Sequence, residues 1–250
     1  MTLATVRRFS KRADSYARYR PGYPPAVLSV LRKEIGLGGR DVVADIGSGT
    51  GLLSRLFLEN GNRVYGVEPN GRMRSYAEKA LGSFKNFTSV PGTAERTTIR
   101  AGAIDLVAVG QALHWFDNLS AKAEFSRIAK PGGHLCVVYN ERGDDGLGRT
   151  YGRLIRKHET DRPRVLHTGA RRRAKFFKDG EYSKSTVPNG QVLDFEGFLG
   201  RLVSNSFMPF PDEAGFVELR ADAAEAFERF SSGGKVTLRY RTDIFIGRIP

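Results

Sequence analysis

The residues of this chain best arranged for chemistry are Asp45-Ile46-Gly47-Ser48-Gly49-Thr50-Gly51 and, 17 positions further on, Glu68-Pro69. Closely spaced glycines let a backbone turn sharply and approach a ligand without a Cβ in the way. A dinucleotide fingerprint would read G-x-G-x-x-G. Here the third glycine comes one residue early, and an acid stands two residues before the first. An acid at that place repels a pyrophosphate but pairs with an ammonium group. Glu68 ends a short apolar run, where its two carboxylate oxygens can accept hydrogen bonds from both hydroxyls of a ribose. The ligand so described carries an amine and a ribose and no phosphate.

S-adenosylmethionine meets that description. From Asp41 to Glu141 the sequence resembles the class I S-adenosylmethionine-dependent methyltransferases, in particular the small-molecule branch of ubiquinone-biosynthesis-like and trans-aconitate-methyltransferase-like enzymes. The resemblance implies donor binding by Asp45, Gly47, Ser48, Gly49, Gly51, Glu68, Pro69 and Met73. It places Thr93, Ala94 and Glu95 at the adenine edge, Thr93 standing where the family often has Asp. Gln111 and Ala112, in the segment Gly110 to Phe116, would line the methyl-donor pocket. Tyr16, Tyr19, Arg20 and Pro21 to Pro24 resemble the N-terminal lid of the same branch, with Tyr19 and Arg20 near the donor's methionine carboxylate. Lys130 to Gly133 resembles the turn before the fifth strand.

Methyl transfer from a sulfonium is an in-line displacement on an activated donor, so positioning supplies much of the acceleration. A base serves only some acceptors. His114 is the histidine of the expected pocket: either a base for an acceptor hydroxyl or amine, or a lining residue that hydrogen-bonds nearby. Trp115 and Phe116 either exclude water around the sulfonium or belong to the core. Tyr139, Asn140, Glu141 and Arg142 leave the fifth strand on the glycine-turn edge, which makes Trp115, Tyr139, Asn140 and Arg142 the expected acceptor contacts. Arg20 and Arg142 are fitted to a carboxylate in bidentate fashion. Cys136, at mid-strand, reads as an inert buried thiol.

The elements that must position these residues follow a βα rhythm from Arg40 onward, the signature of parallel strands joined by crossover helices. Strands are expected at Asp41 to Ile46, Arg63 to Val67, Phe87 to Val90, Ile104 to Val109 and Leu135 to Tyr139, with helices at Leu52 to Asn60, Arg72 to Leu81 and Ala121 to Ile128. Beyond Tyr139 the rhythm breaks. Leu147 to His158, Phe195 to Val203 and Glu213 to Phe230 read as helices, Glu181 to Val187 as a strand, and Val236 to Ile249 as a long strand with a bulge near Thr242. The expectation is one α/β domain over 1–250, with a Rossmann-like, mostly parallel seven-stranded sheet and an antiparallel last strand at 236–250. Residues 1–40 form a lid, 41–140 the donor-binding core and 141–235 a cover over the acceptor.

Composition narrows the classes. An apolar content of 40% with 29 glycines and 11 prolines is that of an ordinary globular chain. One cysteine allows no internal disulfide, and no Cys or His pairs stand at zinc spacing, so no metal is expected and a reducing, cytoplasmic compartment fits. No apolar run reaches the length of a membrane span. The first 20 residues read as lid rather than as a transit peptide. Of the net charge of +13, residues 1–40 carry +7 and 141–180 carry +6. Such a field favours an acidic small acceptor. Arg171-Arg172-Arg173 keeps an RNA or protein methyltransferase as an alternative, nucleic acid being the less expected partner, and a non-catalytic nucleotide-binding protein is the other.

Overall fold

The computed structural model describes residues 13–160 and 170–250. Seven strands form one sheet: β1 (Val42–Ile46), β2 (Arg63–Val67), β3 (Phe87–Val90), β4 (Ile104–Gly110), β5 (Ala129–Arg142), β6 (Ser183–Leu193) and β7 (Val236–Arg248), in the order β3-β2-β1-β4-β5-β7-β6. The first five run parallel, while β7 is antiparallel to both β5 and β6. The order reverses between β1 and β4, and open α/β sheets bind ligands at the carboxyl ends of strands flanking such a reversal.

Side chains alternate along the central strands, so each strand feeds two cores. Ala44, Ile46, Val107, Val109, Leu135 and Val137 face one side, with Phe125 of helix Asn118–Ile128. Val43, Leu106, Ala108, Cys136 and Val138 face the other, under α1 (Ala26–Ile35), α2 (Leu52–Glu59) and α3 (Gly71–Leu81). A third core belongs to the cover: Tyr151 and Leu154 of α5 (Gly146–His158), Phe198 and Leu202 of α6 (Phe195–Val203) and Phe227 of α7 (Phe216–Phe230), with helix Asn118–Ile128 being α4. Val236, Leu238 and Tyr240 of β7 close it from below. These helices start on side-chain caps where the sequence offers them: Asn70 accepts from Arg72 N and Met73 N, Asp145 from Gly148 N and Asp194 from Gly197 N.

Several sequence expectations shift, among them the helix expected from Ala121, which begins at Asn118. The fifth strand spans 129–142, because residues 130–133 form an excursion within the strand: the pairing steps from Ile104 opposite Ala129 to Leu106 opposite His134. The strand expected at 181–187 runs on to Leu193, and the last long helix begins at Phe216 instead of Glu213. The bulge near Thr242 is not there. Thr242 pairs in register with Asn140 and Val187, and its buried hydroxyl donates to Asn140 Oδ1 at 2.6 Å. The start of the lid and part of the basic cover stretch lie outside the described residues. No described helix is long and apolar enough to cross a membrane, and no described group of three His, Cys, Asp or Glu could hold a metal ion.

Candidate active site

Asp45 is the penultimate residue of β1. Glycines 47, 49 and 51 then adopt positive φ (71°, 57° and 83°), taking the chain from strand to α2 in five residues. A side chain at 47 would place its Cβ 2.8 Å from Ala112 Cβ, and one at 51 would meet Leu81 Cδ1 at 2.6 Å. The turn is locked to β2 by Gly47 N and Ser48 N donating to Val67 O. Next to it, Glu68 accepts from Gly49 N at 3.1 Å and Asn70 N at 2.8 Å, one bond to each carboxylate oxygen, while Arg74 donates to the Glu68 carbonyl. Each oxygen keeps a lone pair for a ligand.

Asp45 is 1% exposed; its Oδ2 accepts from Ser54 Oγ at 2.6 Å, and its Oδ1 is buried without a hydrogen-bond partner. Burial, only partly offset by Ser54 and reinforced by the Glu68 charge, pushes the Asp45 carboxyl up to about 7. Burial also raises Glu68, against the pull of its two backbone donors and Arg74. Two buried acids, one with an orphaned oxygen, call for a cation.

A small cleft, open to solvent, lies in front of them. Of the residues singled out in the sequence, Gly47, Gly49, Glu68, Pro69, Met73, Thr93, Ala94, Glu95, Gln111, Ala112 and Trp115 line it. Tyr16, Gly110 and Phe116 complete the wall. Asp45 lies beneath the floor, Ser48 leans its hydroxyl toward Gly66, and Gly51 caps α2. Gln111 takes φ +55° and donates from Nε2 to Asn140 O, which re-aims the Leu113–Trp115 turn that follows. Trp115 turns to the cleft, whereas His114, half-buried with its ring 4.8 Å from Trp115, is not in the lining.

The expected carboxylate-binding arm is arranged differently. Tyr19 is pinned to the cover: its ring presses on Gly200 and its carbonyl accepts from Gln191 Nε2. Arg20 reaches away from the cleft to Ser204 O and Asn205 Oδ1, with its guanidinium 4.8 Å over the Tyr16 ring. Asn140 ties lid to sheet, donating to Gly22 O. Tyr139 packs in the core beside β4, and Arg142 is exposed, resting over Tyr151 on the cover. None of these five lines the cleft: Tyr19, Arg20 and Arg142 are drawn to the cover, Tyr139 to the sheet core and Asn140 to the lid. Sequence reading did not single out Arg201, buried in the cover, although a charged residue within the otherwise apolar stretch FLGRLV is a visible signal.

Comparison with known proteins bears on residues 44–137, which match the methyltransferase domain family. The uncharacterized methyltransferase Rv3342 of Mycobacterium tuberculosis is 36% identical over 149 residues, 59% of this chain and 58% of that protein. This chain therefore spans less than two thirds of its curated mycobacterial relatives. A solved structure from Anaeromyxobacter dehalogenans, named as a candidate type II methyltransferase, covers 92% of this chain and 98% of its own at 24% identity and a TM-score of 0.70. An S-adenosylmethionine-dependent methyltransferase from Aquifex aeolicus covers the full length of both chains at 12% identity and a TM-score of 0.53. These two likenesses are of fold, and the fold, the domain match and the acid-flanked glycine turn agree. Residues 44–137 are thus similar to the methyltransferase domain family, within a chain whose fold is shared with S-adenosylmethionine-dependent methyltransferases.

Proposed function

We propose that the protein transfers a methyl group from S-adenosylmethionine to a small, anionic acceptor. The observation that carries the donor half is the orphaned, buried Asp45 Oδ1 beside a Glu68 fixed by Gly49 and Asn70. Asp45 would hold the donor's ammonium, Glu68 its ribose hydroxyls, and Thr93, Ala94 and Glu95 the adenine edge. When bound, S-adenosylmethionine supplies a methyl on a positively charged sulfur, already activated for displacement. Met73, Ala112, Trp115 and Phe116 exclude water from that centre, which strengthens the electrostatic hold of the acids. Positioning then carries the reaction, since the titratable side chains of the lining are Tyr16, Glu68 and Glu95. His114 would serve as base only through a rearrangement of its turn.

The acceptor half rests on charge. The basic excess at 1–40 and 141–180 flanks a core domain that is close to neutral. An RNA-binding use of Arg171 to Arg173 has less support: Arg172 donates to Asn118 Oδ1 and Phe116 O, and Arg173 lies 3.6 Å over the Phe245 ring. Isothermal titration with S-adenosylhomocysteine tests the donor half. Binding is expected in the wild type and is expected to fall at least tenfold in Glu68→Ala and Asp45→Ala. Absent binding, or equal binding in all three, overturns the assignment.

A further inference from the structure

Two guanidiniums meet where the lid joins the cover, without an acid between them among the described residues. Arg201, 7% exposed, donates from Nε to Tyr240 Oη at 3.1 Å and from Nη1 to Tyr151 Oη at 3.3 Å and Ser204 Oγ at 3.2 Å. Arg20 donates from Nη2 to the carbonyl of that same Ser204 at 3.1 Å and to Asn205 Oδ1 at 3.2 Å, and its Nε is buried without a hydrogen-bond partner. Neither has a carboxylate partner among the described residues. Burial, and after it the nearby Arg201 charge, pull the Arg20 guanidinium below its ordinary value. A buried charge without a counter-ion is costly, and a like-charged neighbour adds to the cost. Phenol and carbonyl dipoles soften that arrangement but do not neutralise it.

The Arg20 end of the pair lies behind the cleft wall. The Tyr16 ring lines the cleft, and the Arg20 guanidinium stacks on that ring. The pair is also remote from the acids that suit the donor's amine: Tyr240, on which Arg201 rests, belongs to β7, three strands across from β1, roughly 14 Å at the usual strand spacing. Building on the methyl-transfer reading, we propose that Arg20 and Arg201 are the receptor for the acidic group of the methyl acceptor, a carboxylate or comparable oxyanion carried several bonds from the methylated atom.

The test uses octanoate, benzoate and succinate, each against its amide, as thermal-shift ligands of the full chain with and without S-adenosylhomocysteine. At least one acid is expected to stabilise the wild type saturably while its amide does not. Arg201→Met, with folding verified by circular dichroism, is expected to weaken that acid at least tenfold and to leave S-adenosylhomocysteine affinity within twofold; Arg201→Lys should fall between. If Arg201→Met does not fold, Arg20→Met carries the same expectation. Acids and amides that act alike on the wild type overturn the proposal, as does undiminished acid binding in the variants. Loss of S-adenosylhomocysteine affinity in folded Arg201→Met also overturns it, by assigning the arginine to the donor. Acid-selective binding that persists in a wild type unable to bind S-adenosylhomocysteine upholds the anion site and overturns the methyl-transfer reading instead.

Discussion

Asp45 shows how the proposed ammonium-binding residue is held at the expense of the free protein. Its folded-state carboxyl, raised by burial to about 7, stands above its ordinary 3.8. Between those values the folded form holds a proton that the unfolded chain has released, so stability contributed by this group is present at low pH and is lost as pH rises toward 7. Asp45→Asn removes the charge and keeps an acceptor for Ser54. It is expected to raise the melting temperature of the ligand-free protein at pH 8, read by calorimetry, and to weaken S-adenosylhomocysteine at least tenfold. In the wild type an ammonium ligand selects the ionised acid, so titration at pH 6 should give roughly tenfold weaker binding than at pH 8. Asp45, the glycines and Glu68 were legible in sequence because their spacing is local. The place of His114 was not, since it depends on Gln111 taking a left-handed backbone that its side chain does not announce.

Elements here are joined at a few tight contacts. Gly51→Ala is strained at φ +83° and drives its Cβ to within 3.3 Å of Ala77 Cβ as well as into Leu81. We expect a loss of about 2 kcal/mol or more in urea unfolding, with the transition remaining cooperative. On the opposite face, burial pushes the Glu124 carboxyl up, but hydrogen bonds from Arg127 and Thr97 overcome it and bring the group to about 2. Its stabilising contribution is complete above its ordinary range near 4.5 and is lost as pH falls toward 2. Glu124→Gln should cost on the order of 2 kcal/mol at pH 7 and much less at pH 3, measured by denaturant titration. Strand and helix positions up to Ile128 followed from periodicity to within three residues, because parallel strands buried on both faces read as apolar runs. Thr242-Asp243 misled because polar residues in a buried strand resemble a bulge. They are instead paid for by Asn140, Thr186 and Lys184.

Over the whole molecule, the charge excess and the arginine pair, with Arg201 buried and Arg20 partly so, make opposite predictions about salt. Exposed charges separated by more than ~10 Å are screened at 0.1 M salt, whereas buried ones are screened far less. Initial rates with an acidic acceptor at subsaturating concentration should fall with salt through weaker steering, while the preference for the acid over its amide should persist to 0.3 M. A preference that vanishes with salt would place acceptor selection on the surface. The cover's role was hard to read from sequence, since Arg20 and Arg201 meet across 181 positions and only the completed fold brings them to Ser204. Strand β7 makes that meeting permanent: its first half, with Leu238 and Tyr240, belongs to the cover core, and its second half, with Ile244 and Ile246, to the sheet core. The cover is therefore not a detachable module. A chimera that imports another protein's residues 143–235 inherits this chain's Tyr240 and the register of β7 against β5, so the acceptor specificity proposed for the cover can be exchanged only when the closing strand travels with the segment it supports.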